Sequence, residues 1–289
     1  RWEPYLRNTQ PIADVALVYS QQTAMFYGKE KARAVVEEPI QGWYQALIEA
    51  RIPFEMVNDQ LLDEEHIKPF RLLILPNVAA LSDAQCRQLK AFVKRGGNLL
   101  ATFETSLYDK EGKPREDFGL ADLFGVSFGG RVEGPMKNSY LRLKSDPKSG
   151  KYHPVLEGLE DAYRIINGIW RLEVEPRDSF PSPVTLIPTY PDLPMEHVYP
   201  RVPETDTREV YLREVGPSRV AYVPWDIDRA FWEVMAVDHG RLLGNLVKWA
   251  MGEAPPATVT GRGLVDVTVW RQKEAMTVHL VNLTNPMMM

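Results

Sequence analysis

Two carboxylates stand where chemistry on an α/β scaffold is usually done. Glu104 follows the apolar run Asn98-Leu-Leu-Ala-Thr-Phe103, and Asp226 follows Arg219-Val-Ala-Tyr-Val-Pro-Trp225, each just past the carboxyl end of a strand-like segment. In open parallel sheets that end faces the ligand crevice. Glycoside hydrolysis needs two acids flanking one bond, one of them the general acid and the other a base or nucleophile. Trp225, beside Asp226, offers a face on which a sugar ring can stack. Glu104 and Asp226 are therefore the candidate catalytic pair, and Glu104 and Trp225 the candidate substrate contacts. The competing reading is structural, with Glu104 bonding backbone amides of a loop and Trp225 filling space under a proline-rich cover.

Nucleophilic catalysis lacks its parts on the same segment. Between Asn98 and Ser106 there is no cysteine and no Gly-x-Ser-x-Gly elbow, the sharp turn on which α/β hydrolases mount a nucleophile. The one cysteine, Cys86, falls inside a helix expected over residues 83–95 and reads as a small apolar packing residue. His66 belongs to a charged segment, His153 and His197 to proline-rich stretches, His239 to a helix start and His279 to a strand. No pair of them has metal-ligand spacing, so neither a metal nor another cofactor is expected. Gly96-Gly97 precedes a strand instead of opening a helix, so it reads as a helix C-cap and not as a phosphate cradle. Gly261-Arg-Gly263 reads as a turn, and Asn282-Leu-Thr284 fits the glycosylation sequon in form only.

The elements that must position these residues alternate along the first half. Val15-Ala-Leu-Val-Tyr-Ser20 is a continuous apolar run, as in a parallel strand covered on both faces, and is expected to be central in the sheet. Residues 28–50 carry apolar positions at helical spacing, with Pro39 splitting or bending the helix. Strands are expected at 53–57 and 72–75, and Ser82 is placed to cap the helix over 83–95. This order predicts a doubly wound parallel sheet. A short helix is expected at 118–124. The dense prolines between Tyr140 and Pro203 predict short edge strands, loops and covering hairpins. A strand pair follows around Gly216-Pro217, then a helix over 239–251 ending at Gly252. Past Pro255-Pro256, two alternating runs, 264–271 and 276–284, have no helix between them and predict an antiparallel hairpin.

Composition narrows the classes of partner. With 44% hydrophobic and 25% charged residues over 289 positions, the chain can bury one large core and a smaller piece. A net charge of -5 provides no basic field, so nucleic acid is not expected and a neutral, sugar-like ligand is compatible. No apolar run approaches the roughly 18 residues that span a bilayer, and Arg1-Trp2-Glu3-Pro4 is not a signal sequence. The expectation is a soluble protein, cytoplasmic or periplasmic, with no membrane partner. A start without Met reads as a segment cut from a longer polypeptide, and Met287-Met-Met289 as an exposed ragged end. Seven tryptophans and twelve tyrosines exceed what one core of this size takes in, so some aromatic residues should lie on the surface and serve assembly.

Six separated motifs occur in an order that resembles a known family: Tyr19-Ser-Gln-Gln-Thr23 with Phe26-Tyr-Gly28, Leu73-Ile-Leu-Pro-Asn77, Leu81-Ser-Asp83, Phe92-Val with Gly96-Gly97, Ala101-Thr-Phe-Glu-Thr-Ser106, and Leu120-Ala-Asp-Leu-Phe-Gly125. They resemble the β-galactosidase trimerisation domain, over about residues 12 to 252. The resemblance implies a flavodoxin-like, class I glutamine amidotransferase-like fold over residues 1–254. It implies that residues 255–289 open a truncated β-sandwich, and that a barrel domain precedes the module in a multidomain glycoside hydrolase. Two function classes follow. One is a non-catalytic accessory and oligomerisation module, contacting the upstream barrel or identical subunits through Phe26, Tyr27, Trp43 and Tyr44 or the proline-rich segment, and lining a carbohydrate cleft. The other is a stand-alone hydrolase or amidotransferase-like enzyme using Glu104 and Asp226. The missing nucleophile favours the first.

Overall fold

The computed structural model describes residues 3–181 and 183–284; the run Met287-Met-Met289 lies outside them. Six strands form the main sheet, in the spatial order Tyr211–Val215, Ser218–Val223, Asn98–Thr102, Leu72–Leu75, Val15–Tyr19, Phe54–Asn58. The last five run parallel, and Tyr211–Val215 returns antiparallel to Ser218–Val223 through a turn at Gly216, which adopts φ 59°. Val15–Tyr19 is interior, while the two middle positions belong to Asn98–Thr102 and Leu72–Leu75.

Continuous apolar runs make this sheet because both of its faces are covered. Side chains alternate across a strand, and the two halves of each strand join different cores. Val15, Leu17, Leu72, Ile74 and Leu100 pack with Trp43, Leu47, Phe231 and Leu246 from helices Glu38–Glu49, Ile227–Val234 and Val237–Met251. Ala16, Val18, Leu73, Leu75 and Leu99 pack with Leu89, Phe92 and Val93 of helix Asp83–Lys94. That helix opens on a capping box, in which the Ser82 hydroxyl accepts from Gln85 N at 3.2 Å and the Gln85 side chain accepts from Ser82 N at 2.8 Å. It ends at Gly96, whose φ of 103° suits glycine.

Two details of the helices go beyond the sequence reading. Pro39 sits in the first turn of Glu38–Glu49, where the π-helical turn Arg33–Glu37 gives way to α-helix, and Val35 O, the carbonyl four residues before it, accepts from Asn77 Nδ2 at 2.8 Å instead. The irregularity lies upstream, where wide π-helical turns Thr23–Gly28 and Arg33–Glu37 flank the 3₁₀ turn Lys29–Lys31. The helix expected over 239–251 forms as Val237–Met251, and an unforeseen helix, Ile227–Val234, precedes it, the two separated by Met235 in the left-handed conformation at φ 54°. A methionine there sends no sequence signal, because such a cap is ordinarily glycine or asparagine.

Antiparallel pieces complete the fold. Val126–Glu133 pairs with Arg171–Pro176, and Val184–Ile187, Tyr140–Leu143 and Arg164–Ile166 form a three-stranded sheet within the proline-rich region. The terminal hairpin Val265–Arg271 and Met276–Asn282 gains Gln10–Pro11 as a third strand. It packs against helix Glu38–Glu49, so its packing partner is a helix where a sandwich needs a second sheet. Arg51 donates to the carbonyls of Gly261 and Gly263, each at 2.8 Å, tying the connecting segment to the main body. Among the described residues no helix is long and apolar enough to cross a membrane.

Candidate functional site

The carboxyl ends of Asn98–Thr102 and Ser218–Val223 are adjacent, and both candidate acids follow them. After Thr102 the chain turns sharply, with Phe103 at φ 48° and Ser106 at φ 68°. Phe103 N donates to Val223 O at 2.8 Å, and Tyr222 Oη donates to Phe103 O at 2.7 Å, which holds the turn. Non-glycine residues forced into this region cost about 1–3 kcal/mol and collect at functional sites. The strained position on this strand end therefore belongs to Phe103, one residue before the acid singled out from sequence, and its side chain is an apolar ring.

Glu104 and Asp226 line one cavity of about 260 Å3, together with Tyr27, Lys31, Val132 and Trp170. Glu104 is buried and accepts from two phenols, Tyr27 Oη and Tyr108 Oη, the latter at 3.1 Å, while its backbone N–H donates to Asn77 Oδ1 at 3.1 Å. Burial raises its carboxyl above the usual range against the opposing pull of those two hydrogen bonds. Its partners are thus side-chain hydroxyls and not the loop amides expected from sequence. The Tyr27 and Tyr108 rings meet at a centroid distance of 4.8 Å, and burial pushes both phenols up.

Asp226 is pinned from the other side. Its Oδ1 accepts from the backbone N–H groups of Ile169 and Trp170, each at 2.9 Å, and Arg229 Nη1 lies 3.4 Å from Oδ2. Burial pushes this carboxyl up to about 6. Two residues on, Asp228 is fully buried and accepts from Trp43 Nε1 at 3.1 Å, Thr102 Oγ1 at 2.5 Å and Arg229 N at 2.9 Å. Burial pushes it up to about 7. Asp228 also lines the cavity, and the sequence reading did not select it. The pattern Asp226-Ile-Asp228 at a helix start was the available signal, masked because that helix itself was not foreseen.

Trp225 is elsewhere. Its ring is fully buried, its Nε1 donates to Glu209 O at 3.0 Å, and His239 packs edge-on at 5.4 Å between centroids. It is not among the cavity's lining residues, whose aromatic members are Tyr27, Phe103 and Trp170. Trp43, placed from sequence on a contact surface, has no exposed area, whereas Phe26 and Tyr44 are 44% and 43% exposed. None of the five histidines lines the cavity. His239 is buried with Nε2 2.8 Å from Ile166 O, and burial lowers its pKa. Cys86 is buried in its helix, and burial raises its thiol pKa. The two acids are held by phenols, backbone amides and Arg229, and no histidine or cysteine stands beside them in the cavity lining.

Residues 13–133 match the family model of the β-galactosidase trimerisation domain. The matched segment runs from the first parallel strand through the strained turn at Phe103 to the end of Val126–Glu133, and so includes Glu104 but not Asp226. Similar solved structures extend the likeness of the fold beyond the matched segment. The β-galactosidase from Bacillus circulans sp. alkalophilus is 13% identical, with a TM-score of 0.67 over 96% of this chain and 36% of its own. The α-L-fucosidase isoenzyme 2 from Paenibacillus thiaminolyticus is 17% identical, with a TM-score of 0.69 over 99% and 40%. The β-galactosidase from Rahnella sp. R3 is 14% identical, with a TM-score of 0.69 over 96% and 36%. The chain therefore spans well under half the length of these three proteins. No curated protein sequence matches it.

Proposed function

We propose that the chain is a non-catalytic accessory and oligomerisation module of a larger carbohydrate-active glycoside hydrolase, in contact with a barrel domain of its parent or with identical subunits. The observation that carries this reading is the trimerisation-domain match over residues 13–133, on a scaffold whose strained strand-end position holds Phe103. A phenyl ring can neither attack a carbonyl nor accept a proton. In this reading residues 1–254 form a flavodoxin-like, amidotransferase-like domain, and residues 255–289 begin a β-sandwich completed by further chain. The cavity of Glu104 and Asp226 contributes to a carbohydrate cleft.

Exposed apolar side chains support assembly. Met25 and Phe26 protrude from the irregular segment after the first strand, Tyr44 from helix Glu38–Glu49, and Leu193, Met195 and Tyr199 from the proline-rich arm. Aromatic residues and methionine are enriched at protein contacts. Light scattering on the purified chain tests the reading, with a mass above that of one chain expected. Phe26→Asp combined with Tyr44→Asp should lower that mass while leaving the melting temperature within a few degrees. A strictly monomeric mass at high concentration overturns self-association.

A further inference from the structure

The geometry points to the cavity between Glu104, Asp226 and Trp170 as a binding site, within this chain, for a neutral polyhydroxylated molecule of about monosaccharide size. This deepens the carbohydrate reading above and rests on it. At about 260 Å3 the cavity lies just below the ~300–1,000 Å3 typical of small-molecule pockets, which sets the ligand at one ring and not a chain.

Charge selects the class. Three acids, all with pKa raised by burial, and two cations, Lys31 and Arg229, line the space, so neither sign of charge dominates it. A cation gains little, because each acid is already compensated: Asp226 by two amides and Arg229, Asp228 by Trp43, Thr102 and the Arg229 amide, Glu104 by two phenols. A hydroxyl both donates and accepts, and a carboxylate has about four lone-pair sites. Glu104, with two of them used, therefore keeps acceptor capacity for hydroxyl donors, and Lys31 supplies a donor on the same wall. Trp170, Val35 and Pro39 provide the apolar surface that the C–H face of such a ring requires, with Val132 at the exposed rim.

The way in is also defined. Tyr27 and Lys31 reach the cavity from the segment of π-helical and 3₁₀ turns, whose hydrogen-bond geometry is poorer than that of an α-helix and which often marks functional sites. The bond from Tyr27 Oη to Glu104 latches this cover to the strand end. In the proposed complex a ligand hydroxyl takes the place of the Tyr27 donor on Glu104.

Calorimetric titration of the full chain with D-galactose and with myo-inositol tests the proposal, with choline and inorganic phosphate as charged comparators. Val132 is 42% exposed, so Val132→Trp can fill the mouth without disturbing the core, and Val132→Ala leaves it open. The expected result is binding of at least one polyol, weakened at least tenfold by Val132→Trp and less than threefold by Val132→Ala, with both variants melting as the parent does. Binding of myo-inositol without D-galactose keeps this site and refutes the carbohydrate reading. No polyol binding, binding indifferent to Val132→Trp, or tighter binding of choline or phosphate overturns the site itself. The light-scattering mass reports on assembly separately in every case.

Discussion

The indole N–H of Trp43 donates to the carboxylate of Asp228 across 3.1 Å, joining residues 185 positions apart. The contact fixes helix Glu38–Glu49 against helix Ile227–Val234 at the wall of the candidate cavity, and Thr102 adds the end of a central strand to the same carboxylate. The helices approach this closely because Gly42 has no side chain: a Cβ there would lie 1.9 Å from the carbonyl oxygen of Asp228. Helix packing and cavity wall are thus one construction.

Trp43→Phe keeps most of the buried ring but leaves Asp228 without one of its donors. Removing one partner of a buried hydrogen bond costs about 1–3 kcal/mol, so urea unfolding should show a loss in that range. A loss below ~0.5 kcal/mol would mean that the indole contributes through packing alone.

Stability should depend on pH through the buried acids. Asp228 is pushed up to about 7, Asp226 to about 6, and the Glu209 carboxyl, buried against Arg171, to about 7, all by burial. Each therefore holds its proton in the folded state after the unfolded chain has released it, so the folded state binds more protons and stability falls as pH rises from about 4 to about 7. His153 and His239, whose pKa values burial lowers, act in the opposite sense by costing stability on acidification through about 6.5. The difference between parent and Asp228→Asn isolates one acid. The parent's advantage over the variant should shrink steadily between pH 4 and 7 in denaturant titrations, and a flat difference would refute the assignment.

Restoring a thiol should not restore chemistry. Phe103→Cys places sulfur on the strained turn, yet no histidine lines the cavity to activate it. Neither ammonia release from glutamine nor turnover of an aryl glycoside is expected from the parent or from this variant. Measurable glutamine hydrolysis by either, or glycoside turnover abolished by Glu104→Gln, would establish an enzyme in this chain.

The strands were legible because their pattern is local. Val15–Tyr19, Leu72–Leu75 and Asn98–Thr102 are short apolar runs bounded by polar or turn residues, and burial on both faces leaves that composition whatever the neighbours are. The capping box at Ser82 and the glycine stop at Gly96 are likewise written within a few positions, and the absence of a cysteine or a Gly-x-Ser-x-Gly elbow between Asn98 and Ser106 needed no coordinates. What reached the cavity could not be read this way. Glu104 meets Tyr27 from 77 positions away, Asp226 meets the Ile169 and Trp170 amides from 57 and 56, and Trp170 rather than Trp225 lines the cavity. A side chain's partners depend on which loops the sheet order brings together, and on a non-glycine residue such as Met235 accepting a left-handed turn between two helices. Those outcomes come from packing the whole chain at once, since no short stretch of sequence contains both halves of any of these contacts.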